Sequence, residues 1–250
     1  MRNDSCVLHI STVGGMGKEE ETAPPTSAIG EYYLPLSKLK GTMSVEEAIA
    51  RRRSVREYLS EPLSIEELAQ LLWAAQGITD PKRGSRAAPS ASATYPLEVY
   101  VVVGKNGVKE LSAGIYKYNP LKHSIKLIKQ GDYRADLAKA ALSQPWVNKA
   151  PVVMVITAVY ERTTSRYGER GIRYVHMEAG HVGQNIYLQT TALGMGTVVV
   201  GAFYDDMVRE IIEAPKKEHP LYLIPIGKVA KLHELSAEEL AEYYEKNRRG

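Results

Sequence analysis

The stretch "ARRRSVREYL" (residues 50–59) crowds four arginines, Arg51, Arg52, Arg53 and Arg56, around Ser54. Guanidinium groups packed this densely repel one another, so either water or an anion must screen them. Residue types leave two readings open, a solvated helix end or a site for a phosphate dianion. Arg52 and Arg56 stand four apart with a hydroxyl between them, where a helix should stop. A bend there aims several charge-assisted donors at one point, which suits phosphate oxygens.

Other stretches carry weaker signals. "GSRAAPSASATYP" is rich in small residues around Pro89, so its backbone N–H groups can approach a flat ligand closely. It reads equally as an ordinary loop. His176 and His181 are five apart, about 140° around a helix, and do not share the face that a metal-binding histidine pair needs. No metal site is expected. "STVGGMGKEE" resembles a P-loop only in part: Thr12 stands where the first glycine belongs and Glu19 where a Ser or Thr should bind magnesium. "GMGTVVVG" follows a helix and lacks the third glycine of a dinucleotide fingerprint.

The elements that position these residues can be sketched from capping boxes and hydrophobic period. Ser44 with Glu47 opens a short helix that delivers the arginines at its C-terminal end, where the macrodipole favours cations. Ser64 with Glu67 opens a second helix with an end signal at Gly77, and Ser236 with Glu239 opens the last one. "LEVYVVV", "PVVMVITAVY", "TVVVGAF" and "LYLIPIGKVA" read as buried strands, and "GIYKYNPLKHSIKLI" as a hairpin turning at Asn119-Pro120. "YRADLAKAAL" reads as a helix, and another is expected to be capped by Asp205. Residues 169–194 form the longest helical candidate, apolar or small on most faces, so it must be enclosed centrally or by another subunit. Gly180 and Gly183 within it each cost about 1 kcal/mol, which points to close backbone approach.

The order of elements describes one α+β domain over residues 43–250, preceded by a flexible segment, residues 1–42, whose "KEEETAPPTS" is charged and proline-rich. The chain has 250 residues, 44% of them apolar and 24% charged, with a net charge of only +3. No global basic field argues for nucleic acid. Cys6 is the only cysteine, which rules out a disulfide within the chain and fits a cytoplasmic location. No apolar run reaches the roughly 18 residues of a membrane span, and no secretory signal is expected.

Taken together, "RRSVREY", "APSASATYPLEVYVVV", "APVVMVITA" and "GHVGQNIYLQTTALGMGTVVVGAF" resemble the nitroreductase family of FMN flavoproteins, in the family's order from about residue 40 to 230. Within it, "PSASATYPLEVYVV", "RYGERGIRY" and "EAGHVGQNIYLQTTALGMG" are most similar to the azoline dehydrogenases, which oxidise thiazolines and oxazolines in modified peptides. The resemblance implies a mixed or antiparallel central sheet flanked by helices, an intertwined homodimer, and FMN between the protomers. It implies that Arg52, Arg53 and Ser54 hold the FMN phosphate and that Arg56 lies near N1 and O2 of the ring. It also implies that Pro89, Ser90, Ala91 and Ala93 contact the flavin from the neighbouring subunit. The family often has Asn at the position of Ala93. Val200, Gly201 and Ala202 match the strand end that faces N5. Gln144 and Lys228 are further matches. A Lys-Tyr pair implicated in azoline oxidation falls on Arg166-Tyr167, and an arginine cannot act as the base. Tyr167 remains the candidate catalytic residue. The implied activity is transfer of hydride from NAD(P)H through FMN to a quinone, nitroaromatic or other acceptor. The alternatives are azoline oxidation and a non-catalytic flavin-binding role.

Overall fold

The computed structural model describes residues 30–248. In chain order the elements are β1 (Glu31–Tyr33), α1 (Val45–Arg51), α2 (Ile65–Gln76), β2 (Ile78–Asp80), β3 (Ser85–Arg86), β4 (Leu97–Val103), β5 (Gly114–Asn119) and β6 (Ser124–Gln130). There follow α3 (Arg134–Ala140), α4 (Pro145–Lys149), β7 (Val152–Ala158), α5 (Glu161–Tyr167), α6 (Arg170–Ala192), β8 (Met195–Thr197), α7 (Asp205–Ile211), β9 (His219–Lys228) and α8 (Ala237–Arg248).

Seven strands form one sheet in the order β1-β6-β5-β4-β7-β9-β8, each neighbouring pair antiparallel. β2 and β3 make a separate small hairpin. The central strands β4 and β7 are buried on both faces, which is why their sequences lack polar alternation. Leu97, Val99, Val101 and Val103 pack with Met154 and Ile156 against α2 and α6. Tyr100, Val102, Val153 and Val155 pack on the opposite face with Leu137, Val147 and Val208 of α3, α4 and α7. The domain is therefore three layers deep, an α+β fold with α6 central to one layer.

The three capping boxes form as expected: Ser44, Ser64 and Ser236 accept from Glu47, Glu67 and Glu239 backbone N–H, and each glutamate answers. α2 stops at Gly77 with an extended backbone (φ −66°), so positive φ is not its reason for being glycine. A Cβ there would lie 2.2 Å from Trp73 Cδ1.

Several expectations are corrected. The segment 1–42 does not read as a tether to its end: Glu31–Tyr33 pairs with Ser124–Lys126 at the sheet edge, and Leu34 is buried. The P-loop-like stretch lies outside the described residues. Asp205 is the first helical residue of α7, and its N-cap, Tyr204, makes no side-chain cap. "TVVVGAF" is not one strand. β8 ends at Thr197, and Val200 makes a separate bridge to Leu223. α4 and α5 were not expected.

Candidate active site

The arginine segment leaves α1 at Arg52, whose backbone (φ −58°, ψ 124°) is no longer helical, and runs as an extended strip over β8 and β9. Val55 N donates to Thr197 O at 2.8 Å, Ser54 bridges Thr197, and Leu59 N donates to Lys228 O at 2.8 Å. The strip lies this close because the paired residues beneath it, Gly196 and Gly227, have no side chains. A Cβ on Gly196 would lie 2.8 Å from Val55 Cβ, and one on Gly227 2.8 Å from Tyr58 Cβ. Tyr58 OH donates to Val55 O within the strip and, at 3.3 Å, to Pro225 O of β9, which ties the strip down.

Laid out this way, the predicted residues fall into two groups. In the first, Ser54 Oγ meets Tyr187 OH of α6 at 2.9 Å, and that hydroxyl accepts from Val199 N at 3.0 Å. The Arg52 guanidinium sits over the Tyr187 ring at 5.1 Å and Arg56 over the Trp146 ring at 5.3 Å. Gln144 Nε2 donates to Ala202 O at 3.1 Å, which brings α4 and the Val200–Ala202 stretch together. Lys228 is engaged by Glu67 at 3.7 Å. Arg53 turns back, with Nη1 donating to Ala50 O and Arg52 O, and so caps α1. Ser54, Arg56, Gly201 and Ala202 are exposed.

The second group is the loop through Pro89, Ser90, Ala91 and Ala93. Its backbone is left-handed at Ser92 (φ 50°), Ala93 (φ 53°) and Tyr95 (φ 43°), a region that non-glycine residues seldom adopt. Ser90 Oγ accepts from Tyr95 N at 2.9 Å, and Thr94 Oγ1 meets Thr163 Oγ1 at 2.8 Å. Tyr167 hydrogen-bonds Ser92 through its hydroxyl and packs edge-on to Tyr174 at 5.0 Å. Arg166 lies over the Tyr167 ring at 5.9 Å and is exposed. Behind the loop, Glu178 of α6 is buried and accepts at Oε1 from Gln76 Nε2 of α2 at 3.5 Å, and burial pushes its carboxyl up to about 6.

The two groups address opposite sides of α6. Tyr187, which meets Ser54, and the buried Glu178, on the side of the Ser90 loop, are nine residues apart, about 180° around the helix and about 13.5 Å along it. Sequence reasoning missed Tyr187, Trp146 and Glu178. The arginines signalled charge, but nothing local pairs Ser54 with a tyrosine 133 positions away.

The residues of the first group fit a flavin mononucleotide. Their donor set of guanidinium groups, a hydroxyl and an ammonium matches a phosphate, and a Cβ added at the exposed Gly201 would meet nothing within 4 Å. Beside Arg56, Trp146 Nε1 is buried without a partner.

An antiparallel sheet clad by helices, crossed at its β8–β9 edge by an arginine strip, defines an α+β fold of the nitroreductase class. The model of the nitroreductase family matches residues 49–228, and the chain belongs to that family. It is 53% identical to a Methanocaldococcus jannaschii protein described as a nitroreductase, over 74% of this chain and 91% of that protein. It is 26% identical to the microcin B17-processing protein McbC of Escherichia coli, covering 62% of this chain and 58% of McbC. It is also 26% identical to an NAD(P)H FMN reductase of Bacillus subtilis, over 73% of this chain and 65% of that protein. A Ralstonia eutropha crystal structure described as a nitroreductase superposes with a TM-score of 0.70 at 27% identity, covering 83% of this chain and 94% of that one. Among the described residues no helix is long and apolar enough to cross a membrane.

Proposed function

We propose that this oxidoreductase-family chain binds FMN as a homodimer and passes electrons from NAD(P)H to a quinone, nitroaromatic or similar acceptor. The observation that carries the reading is the strip over Gly196 and Gly227, which sets Arg52 and Ser54 on Tyr187, itself bonded to Val199 N, and Arg56 on Trp146 of α4, whose N-cap Gln144 holds Ala202 O. Arg52 and Ser54, both fixed on Tyr187, grip the phosphate with Lys228 near by. Arg53 contributes the donors left over from capping α1. Arg56, braced on Trp146, supplies a fixed positive charge against the negative charge that a reduced flavin carries. Gln144 holds the Ala202 carbonyl, and so the backbone N–H groups of Gly201 and Ala202, in place for the ring, while the Val200 N–H is spent on Leu223 O. When bound, FMN supplies hydride acceptance and donation at N5. No triad is then needed from the protein.

A second copy completes the site. The loop through Pro89, Ser90, Ala91 and Ala93 faces the other side of α6 from the arginine strip, so within one chain the two cannot enclose one ring. The Tyr187 side of α6 also carries Arg173, His176, Gly180 and Gln184, all exposed, beside the exposed apolar Ile172 and Met177. α8 presents Leu240, Tyr243 and Tyr244 to solvent, and Leu39, Val45 and Ile49 are equally open around α1. That much apolar surface marks an interface. Tyr167, tied to Ser92, lines the acceptor pocket with its hydroxyl available as a proton donor.

The likeness to McbC favours a second reading, dehydrogenation of a peptide-derived azoline. Arg166 weighs against it, because a guanidinium stays protonated and cannot remove a proton. Anaerobic mixing separates the two. Bleaching of the bound flavin by NADH or NADPH supports the first reading, and bleaching only by a thiazoline peptide supports the second. A flavin that neither reduces leaves a flavin-binding protein without this chemistry.

A further inference from the structure

We propose that the cleft between the diverging ends of β4 and β5 binds a small carboxylic acid with an apolar body, its carboxylate held on the Arg86 guanidinium. The proposal goes beyond the flavin reading and does not depend on it.

The two strands are neighbours in the sheet but separate partway along. β4 pairs with β5 from Tyr100, opposite Lys117, to Val103, opposite Gly114. On the near side of Tyr100, β4 stays paired with β7 back to Leu97, opposite Ala158, and β5 stays paired with β6 out to Asn119, opposite Ser124. Residues 97–99 and 118–119 therefore flank a gap that no strand pairing closes. Backbone polar groups facing such a gap need water or a ligand. A cavity of about 800 Å³ opens there, within the range of roughly 300–1,000 Å³ typical of small-molecule sites. It is apart from the arginine strip, because β7 stands between β4 and the β9–β8 edge that the strip crosses.

Charge selects the ligand. The cavity is lined by the cations Arg86, Lys117, Lys122, Lys126 and Arg162, against the acids Glu31 and Glu98. Arg162 and Lys117 are paired with Glu98, Lys117 also with Glu218 at 2.7 Å, and Lys122 with Glu31 at 3.3 Å. Lys126 is exposed and adds its field at Glu31. Arg86 differs: among the described residues it has no carboxylate at ion-pair distance, and Glu98 and Glu178 act on it only from farther away. Its Nη1 is spent on the neutral amide oxygen of Gln76 at 3.0 Å, and its Nε is buried with no hydrogen-bond partner. Burial pulls its pKa below the usual arginine value. A guanidinium braced over the Tyr95 ring at 4.4 Å is thus short of both a counter-charge and an acceptor, and its fork matches a carboxylate. Glu31 and Glu98 repel a phosphate dianion about twice as strongly as a single carboxylate. Leu97, Val99, Tyr118 and Ile128 line the same space and offer apolar contact to the rest of the molecule.

The test is titration calorimetry of the full chain, in excess FMN, with hexanoate, hexanol and inorganic phosphate. Hexanoate carries the acid and an apolar chain but no flat ring to stack on a flavin. The expected result is hexanoate binding about tenfold or more tighter than hexanol or phosphate, the worth of one charge-assisted contact. Arg86→Gln lowers hexanoate affinity by about tenfold or more, because the counter-charge is gone. Lys126→Glu, a charge reversal at an exposed position, lowers it by about threefold and carries the test if Arg86→Gln does not fold. No hexanoate binding by the wild-type chain overturns the proposal, as does hexanol or phosphate binding equally well, or an affinity unmoved in the folded variants. Hexanoate affinity lost in Arg52→Ala and kept in Arg86→Gln also overturns it, by placing the acid at the arginine strip. A chain that takes up no FMN leaves the titration valid and sinks only the flavin reading.

Discussion

Replacing Gly196 by alanine probes how the arginine strip is held. The new Cβ would lie 2.6 Å from Val229 Cγ1 and 2.8 Å from both Cβ and Cγ1 of Val55. Those separations fall short of the roughly 3.5 Å optimum between carbons by about 0.7–0.9 Å. Val229 and Val55 press from two sides and both are β-branched, so neither side chain can swing clear without moving backbone. Overpacking of this kind costs about 1–3 kcal/mol, a fall in Tm of roughly 2–12 °C for a chain of this size. The local effect is larger than the global one. Val55 N is bonded to Thr197 O and Ser54 bridges the same residue, so a shift of Val55 pulls Ser54 off Tyr187 and re-aims Arg56. The expected result is a folded protein, by far-ultraviolet circular dichroism, with FMN affinity reduced at least tenfold. Gly227→Ala, which meets Tyr58 and Pro151 Cδ at 2.8 Å, gives the same phenotype. Unchanged melting and unchanged FMN affinity in Gly196→Ala would refute the idea that these glycines set the strip.

Arg52→Ala weakens FMN retention by about 1.5–3 kcal/mol, one charge-assisted hydrogen bond, read by equilibrium dialysis. Arg56→Ala lowers the midpoint potential of the bound flavin by removing positive charge beside the ring; an unshifted potential removes that role from Arg56. At Gly180, exposed on α6 with nothing within 4 Å of an added Cβ, alanine stabilises the isolated helix by about 1 kcal/mol. If a second copy packs there, Gly180→Ala instead weakens the dimer, seen as a raised dissociation constant in sedimentation. For Glu178, a folded-state pKa of about 6 against 4.5 unfolded means the folded protein binds more protons between those values. Wild-type stability therefore declines as pH rises through that window, by about 2 kcal/mol in all, and Glu178→Gln without flavin lacks the decline in denaturant titrations.

What could be read before folding and what could not divides by the range of the interaction. The capping boxes at Ser44, Ser64 and Ser236 are complete within four residues, and the hydrophobic runs of β4 and β7 declare double-sided burial in themselves. β1 was invisible, because "EYY" is too short to show a period and its partner, Ser124–Lys126, lies far along the chain. The strand expected over "TVVVGAF" stopped at Thr197, where the chain leaves β9 before Val200 returns to Leu223. Asp205 looked like a cap, since an acid at a helix start is favourable either one position out or one position in. At the site, the arginine cluster was legible as charge in search of an anion. Its geometry was not, since it depends on two glycines paired across β8 and β9 and on the ring of Tyr187. Glu178 looked like any helical glutamate, and only folding, which buries it and brings Gln76 of α2 to its carboxylate, makes it a buried acceptor.

The central claim, that the strip and its neighbours hold FMN in a site shared by two chains, is tested most directly by titrating the flavin-free protein with FMN while its mass is followed by light scattering. The account predicts saturation at one FMN per chain on a particle of twice the chain mass, with the visible flavin band retained through gel filtration. Absence of binding, or flavin carried by a particle of single-chain mass, would contradict it.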